Sequence, residues 1–171
     1  MISRLDAPEA QAAIPALAEI LIACVRSGAE VSFMQDITEE QARAFWQGVA
    51  ANVQAGHVML FVARDAAGKL QGTVQLEPIR KPNQPHRAEV AKLLVHPRAR
   101  RQGLGEALMR HLEQEARAIG RSLITLDTAS GSFGHVLYRK LGYVEFGRIP
   151  DYALTPDGRL SEAAFLYKQL G

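Results

Sequence analysis

The period of the apolar positions changes several times along the chain, and each change marks an element. Ile2–Leu5 reads as a short first strand. From Pro8 to about Arg26 the spacing becomes helical, with Leu17, Ile20, Leu21 and Cys24 on one face. Pro8 is tolerated in the first turn of that helix, whereas Pro15 inside it predicts a kink or a split. Thr38-Glu39-Glu40-Gln41 is a capping box that opens a second helix through Ala55, ended by Gly56, with Phe45 and Trp46 packing it onto the body. Val58–Arg64 and Leu70–Leu76 are rich in apolar and β-branched residues and read as a hairpin turned at Asp65-Ala66-Ala67-Gly68. After a proline-punctuated loop from Ile79 to His86, Arg87–Val95 forms a fourth strand. Leu104, Leu108, Leu112, Ala116 and Ile119 then return to spacings of three and four. Ser122–Thr128, Tyr143–Ile149 and Ala163–Lys168 are further strands, with a short helix at Ser132–Leu141 and a tight turn at Thr155-Pro156-Asp157-Gly158. Antiparallel pairing at first, parallel in the middle, predicts an α/β (α+β) layer: a central mixed seven-stranded sheet flanked by helices.

Composition narrows the setting. A chain of 171 residues, 47% of them hydrophobic, suits a single domain spanning 1–171 with a sizeable core. Its one cysteine, Cys24, excludes an internal disulfide and points to a reducing compartment. On the apolar helix face Cys24 reads as core filler; no partner base marks it as a nucleophile. The segment Met1–Asp6 has no long apolar run, and the net charge is only +2, so the expectation is a cytoplasmic protein with no membrane or nucleic-acid partner. The five histidines show no metal-ligand spacing, and no metal is expected.

The chemistry concentrates between the fourth strand and the following helix. Leu93, Leu94 and Val95 end the strand, Pro97 cannot continue a ladder, and Arg98, Arg100 and Arg101 lead into Gln102-Gly103-Leu104-Gly105-Glu106. Glycines admit a ligand close to the backbone, a helix start offers unpaired N–H groups, and arginines add charge, so this turn suits a polyanion, most plainly a diphosphate. The third glycine of a dinucleotide fingerprint is missing, and no Gly-Lys-Ser/Thr follows.

Arg100-x-x-Gly103-x-Gly105 matches the Q/R-x-x-G-x-G/A pyrophosphate signature of the GNAT N-acetyltransferases, and the order of elements resembles their fold. The resemblance implies acetyl-CoA as cofactor, held by Leu93, Leu94, Val95, Arg100, Arg101, Gln102, Gly103, Leu104, Gly105 and Glu106. Within that superfamily, Gly28–Asp36, Arg80-Lys81-Pro82-Asn83, Arg87–Met109, Leu126-Asp127-Thr128 and Ile149–Leu160 resemble the tabtoxin resistance acetyltransferases. That nearer likeness implies a small-molecule primary amine as acceptor and a homodimer. It also makes the Gly28–Asp36 connection, with Phe33 and Met34, one wall of the acceptor site. Tyr138-x-x-Leu141-Gly142-Tyr143 resembles the family's tyrosine helix and Gly-aromatic turn, although Gly131 stands where relatives usually have Asn.

Acetyl transfer to an amine by direct attack needs positioning, a proton acceptor for the amine and a proton donor for the leaving sulfur. Tyr138 is the candidate donor, with a buried packing tyrosine as the competing role. Two carboxylates compete as base. Glu89 falls by alternation on the face of Ala91, Leu93 and Val95, with a salt bridge to Arg87 or Lys92 as its structural alternative. Asp127 lies at the end of the fifth strand, where a capping role is the alternative, and is the favoured base. Glu89 and Asp127 are also expected to flank the acceptor amine. His135, near Tyr138 on the helix, is expected to be a surface or supporting histidine. The same cofactor motifs would serve a protein or peptide amine acetyltransferase, or a non-catalytic acyl-CoA sensor.

Overall fold

The computed structural model describes residues 1–171. The chain runs β1 (Ile2–Leu5), α1 (Ala7–Arg26), α2 (Glu39–Gln54), β2 (Met59–Arg64), β3 (Leu70–Pro78) and β4 (Arg87–Val95). It continues through a 3-10 turn at Pro97–Ala99 to α3 (Leu104–Ala118), β5 (Leu123–Ala129), α4 (Phe133–Lys140), β6 (Val144–Leu154) and β7 (Leu160–Gln169). The seven strands form one sheet in the order β1-β2-β3-β4-β5-β7-β6, antiparallel except for the β4–β5 pair. This is the mixed sheet the sequence predicts, with four flanking helices.

Strand alternation sends two sets of side chains to opposite faces. Leu60, Val62 and Leu94 join α1 and α2 around Trp46; Phe61, Val74, Leu76 and Val90 join α3 and α4 around Leu108 and Leu112. The helices begin where the capping chemistry places them. Asp6 and Glu9 form a reciprocal capping box on α1, as Thr38 and Gln41 do on α2. Helix α1 runs unbroken through Pro15, contrary to the expected kink. Pro15 and Gln11 are both exposed, so the carbonyl that loses its donor is left to water rather than buried. By length and composition α1 could cross a membrane, yet its Leu17, Leu21 and Val25 stripe is buried, as a core helix's is.

Among the register shifts in the sheet, two carry a positive φ at a residue with a side chain. In β4, Thr73 faces Leu94 and Gln75 faces Ala91, so Val74 alone opposes Lys92 and Leu93. This β-bulge puts Lys92 at φ +51° and reverses the alternation. Glu89 and Ala91 therefore do not share the face of Leu93 and Val95, which pack against the α3–α4 core, and the sequence expectation fails at that point. In β6 the register breaks again between Ile149 and Ala153, with Asp151 at φ +53°. That break lies beyond the predicted end of the strand.

Gly72 marks how tightly β3, β4 and α3 meet: a Cβ there would stand 2.9 Å from the Leu94 carbonyl oxygen and 3.2 Å from Leu108 Cδ1. Gly72→Ala is expected to lower stability by about 1–3 kcal/mol, read as a lower urea midpoint at unchanged m. A loss within experimental error would show that the layer yields more easily than its packing implies.

Candidate active site

The site begins where two strands part. The parallel ladder pairs Arg87, Ala88 and Glu89 with Leu123, Ile124 and Thr125 and then stops. Beyond it, the β5-facing backbone edge of β4 from Val90 to Val95 has no strand partner. A cleft of about 1170 Å³ opens there, with β4 on one side and Asp127 to Ser130 on the other. This exceeds the usual volume of a pocket for one small ligand, about 300–1,000 Å³.

One end of the cleft is an anion cradle. Helices α1, α2 and α4 each carry a side-chain cap, from Asp6, Thr38 and Ser132. Helix α3 has none. Its N-cap is Gly103 at φ +77°, and a Cβ there would meet nothing within 4 Å, so the space above the helix start is open. The N–H groups of its first turn thus face the cleft at the positive end of the macrodipole. Arg101, exposed beside them, makes no hydrogen bond or ion pair through its guanidinium and is free to pair with an anion. Uncapped donors, open space and a free arginine fit a diphosphate.

The predicted cofactor residues divide by role. Leu93, Leu94, Val95, Arg100, Arg101, Gly103, Leu104, Gly105 and Glu106 all border the cleft. Gln102 is exposed and lies outside its lining. Arg100 is a brace: its Nε donates to the Val95 carbonyl at 3.3 Å and its Nη2 to Ser27 Oγ at 2.7 Å. Gly105 is small for packing, since a Cβ there would lie 3.1 Å from Leu137 Cδ2. Glu106 is held by Lys140 at 2.7 Å and Arg110 at 2.8 Å, which draw its carboxyl below the usual range. Arg98, expected at the cradle, instead donates to Glu19 at 2.7 Å and Gln71 at 2.9 Å, away from the cleft. Lys140 borders the cleft and was missed, because the helical pattern assigns it only a polar face.

The other end is apolar with isolated charges. Phe33 and Met34 do line the cleft, and Phe33 packs edge-on against Phe45 at 5.3 Å. Gln35 N–H donates to the Pro156 carbonyl at 3.0 Å, which ties the α1–α2 connection to the β6–β7 turn. Tyr152 borders the same space and rests on Phe165 at 5.3 Å. Lys92, expected only as an alternative ion-pair partner of Glu89, is brought here by the bulge and sends Nζ to Ser32 Oγ at 3.2 Å.

Among the catalytic candidates, Asp127 and Tyr138 come together and Glu89 does not join them. Tyr138 is buried on α4 and borders the cleft; burial, and then the Asp127 charge, push its phenol well above the ordinary value. Asp127 is exposed at the cleft, with no salt bridge and no capping role. Glu89 is held by Arg87 at 3.1 Å, the structural alternative weighed for it, and is not part of the cleft lining. Glu77 faces it across the ladder, and its own carboxyl is raised by burial and then by the Glu89 charge. His135 is buried rather than on the surface. Its Nδ1 accepts from Gly131 N–H at 2.9 Å, which leaves the Nε2 proton for Glu145 at 2.8 Å. It therefore fixes the loop at Gly131, where the family's Asn is missing. Cys24 is core filler as expected: its Sγ donates to the Val95 carbonyl at 3.3 Å, and burial raises its thiol.

Comparison with known proteins agrees with this geometry. The Acetyltransferase (GNAT) family model matches residues 15–143. A stretch of 69 residues is 36% identical to an IAA acetyltransferase of Azospirillum brasilense, a match spanning 40% of this chain and 45% of that relative. Two solved structures share the fold along nearly the whole chain. One is yncA from Salmonella typhimurium, determined with its cofactor acetyl-CoA, at TM-score 0.79 and 21% identity over 100% of this chain and 94% of that one. The other is the ribosomal-protein-alanine N-acetyltransferase of Brucella melitensis, at TM-score 0.79 and 23% identity over 99% of each. The family match runs from α1 through the bulged strand and the cradle to Tyr143, and the chain belongs to the GNAT acetyltransferase family.

Proposed function

We propose that this enzyme moves an acetyl group from acetyl-CoA to the primary amine of a small molecule, by direct transfer with both reactants bound in one cleft. The observation that carries the reading is the continuity of the cleft from the uncapped start of α3, along the unpaired edge of β4, to Asp127 and Tyr138. When bound, acetyl-CoA supplies an acetyl group activated as a thioester. The first-turn N–H groups of α3 and Arg101 hold its diphosphate, and the free N–H and C=O groups of β4 take its amide arm. Asp127 receives the proton that the acceptor amine gives up. Tyr138, kept protonated by its burial, donates a hydrogen bond and then its proton to the departing sulfur. Glu89, outside the lining, contributes negative charge near the acceptor end rather than a proton-accepting oxygen at the reacting atoms. Cys24, buried and committed to Val95, is not an acyl carrier, which supports transfer without a covalent enzyme intermediate.

A small acceptor is favoured over a peptide by the Gln35–Pro156 hydrogen bond, which ties together two segments whose neighbours Phe33, Met34 and Leu154 wall the cleft. The nearer likeness to tabtoxin resistance enzymes rests on the stretches Gly28–Asp36, Arg87–Met109 and Ile149–Leu160. A homodimer is supported by β6, an edge strand exposing Val144, Phe146, Ile149 and Leu154. We further read the chain as a single domain over 1–171, set in the cytoplasm, where Cys24 stays reduced.

Gly103→Val should fold but lose acetyl-CoA affinity by at least about 100-fold, equivalent to roughly 2.7 kcal/mol. The new side chain enters open space above the helix start. Calorimetry showing wild-type affinity in the folded variant would place the cradle elsewhere. Tyr138→Phe and Asp127→Asn should each lower kcat by about 10²–10⁴ while nearly keeping acetyl-CoA affinity. Glu89→Gln should cost less than about tenfold on the same scale. Rates of CoA-thiol release across pH for the three variants decide between the carboxylates: a larger loss at Glu89 than at Asp127 reverses the assignment.

A further inference from the structure

Lys92 has no role in the transfer chemistry itself, yet the fold goes out of its way to place it. It is the extra residue of the β4 bulge, at φ +51°, a conformation that costs a side-chain-bearing residue about 1–2 kcal/mol. The bulge lies where β4 leaves β5, so the lysine enters the acceptor end of the cleft instead of the sheet core. There its ammonium meets only a hydroxyl and a ring. Nζ lies 3.2 Å from Ser32 Oγ and 5.7 Å from the Phe45 centroid, and no carboxylate is in ion-pair contact with it. The contrast with Lys168 is instructive: comparably sheltered, it is paired with Glu113 at 2.7 Å. Removing an ammonium from water without an anion is unfavourable, and partial burial already draws the Lys92 ammonium toward deprotonation, against the opposing fields of Asp127 and Glu77.

Resting on the acetyl-transfer reading, we propose that Lys92 is the receptor for a carboxylate on the acceptor, so that the acceptor is a zwitterion of the α-amino-acid type. Asp127 borders the same cleft and also lacks a cationic partner in contact, so an ammonium and a carboxylate on one small molecule can meet opposite charges together. The walls around them, Phe33, Met34, Tyr152 and Leu154, suit an apolar or aromatic body between or beyond those two groups. The cofactor's phosphates are assigned elsewhere, to the uncapped start of α3 and Arg101. A neutral amine of the same body would leave the lysine's charge unmatched. It should be the poorer acceptor for that reason.

The test compares apolar α-amino acids, phenylalanine and methionine first, each against the amine that lacks only its carboxylate. The readouts are kcat/KM from CoA-thiol release and, in parallel, calorimetric affinity for the CoA-loaded protein. Wild type should favour the amino acid by about 10- to 100-fold, the range of a hydrogen bond to a charged group. Lys92→Met should bring that ratio to within about threefold of unity, and Lys92→Arg should restore part of it. A wild type without preference, or a Lys92→Met variant that keeps it, overturns the assignment. The two readings fail separately. Turnover of every member without discrimination removes Lys92 and leaves acetyl transfer standing. Binding discrimination that depends on Lys92, with no thiol released from any member, removes small-molecule transfer and leaves the carboxylate receptor. Neither turnover nor discrimination removes both.

Discussion

Two parallel strands can share a ladder only while they stay about 4.8 Å apart, and β4 and β5 do so for a short distance before the extra residue at Lys92 bends β4 away. Nearly every functional feature depends on that departure. It ends the β4–β5 ladder after Glu89 and leaves a row of backbone donors and acceptors facing a cleft. It also lets side chains from opposite faces meet: Tyr138 arrives from the α3–α4 side, while Lys92 turns to Ser32 and Phe45 on the α1–α2 side. A flat, fully paired sheet would keep these groups apart and leave an extended amide-bearing ligand nothing to pair with.

A gap in a sheet must be held open by something other than the sheet. The Val95 carbonyl, at the end of the unpaired edge, accepts from both Cys24 Sγ and Arg100 Nε. Arg100 in turn binds Ser27 Oγ, and Ser27 Oγ donates to the Cys24 carbonyl at the end of α1. The C-terminus of α1, the end of β4 and the turn leading into α3 are thereby locked as one unit. A guanidinium is also well placed near a helix C-terminus, where the dipole favours positive charge. On the far side, His135 does similar work by gripping Gly131 N–H and Glu145 at once. Arg100 carries the family's signature position, but its charge is spent on this scaffold, which leaves Arg101 as the guanidinium free for a polyanion.

The elements were legible because their signals are local and periodic. Arg87–Val95 has its predicted limits, Thr38 and Gln41 form their predicted capping box, and Leu104 starts its predicted helix. The cradle was legible for the same reason, since glycine spacing and a helix start are adjacent in the chain. What was not legible depends on a register. Glu89 was assigned a face by counting alternate residues, and one bulged residue reverses that count without leaving any mark in composition: no glycine or proline sits at Lys92 to announce it. Arg98 and Arg100 look equivalent beside the cradle, yet Glu19 and Gln71, distant in sequence, capture the first. Gly105 reads as a cofactor glycine from its motif; it borders the cleft and is spaced for Leu137 as well, a contact set by helix-to-helix distance, which is a tertiary quantity.

The division of labour between Asp127 and Tyr138 has an electrostatic logic that goes beyond their proximity. A proton acceptor should be solvated enough to stay ionised, and a proton donor should be sheltered enough to stay neutral. Asp127 is exposed at the cleft and Tyr138 is buried beneath it, and that burial holds the phenol's proton in place. The coupling between them reinforces this, because the Asp127 carboxylate raises the phenol further and so helps keep its proton in place before reaction. On the proposed assignment, an Asp127 that took the amine proton would lose its charge, and that opposition would fall away. Burial, the larger cause, would still hold the phenol high, so the neutralisation would ease its proton loss only in part. On that proposal, burial and charge together would favour the amine's proton transfer before the sulfur's.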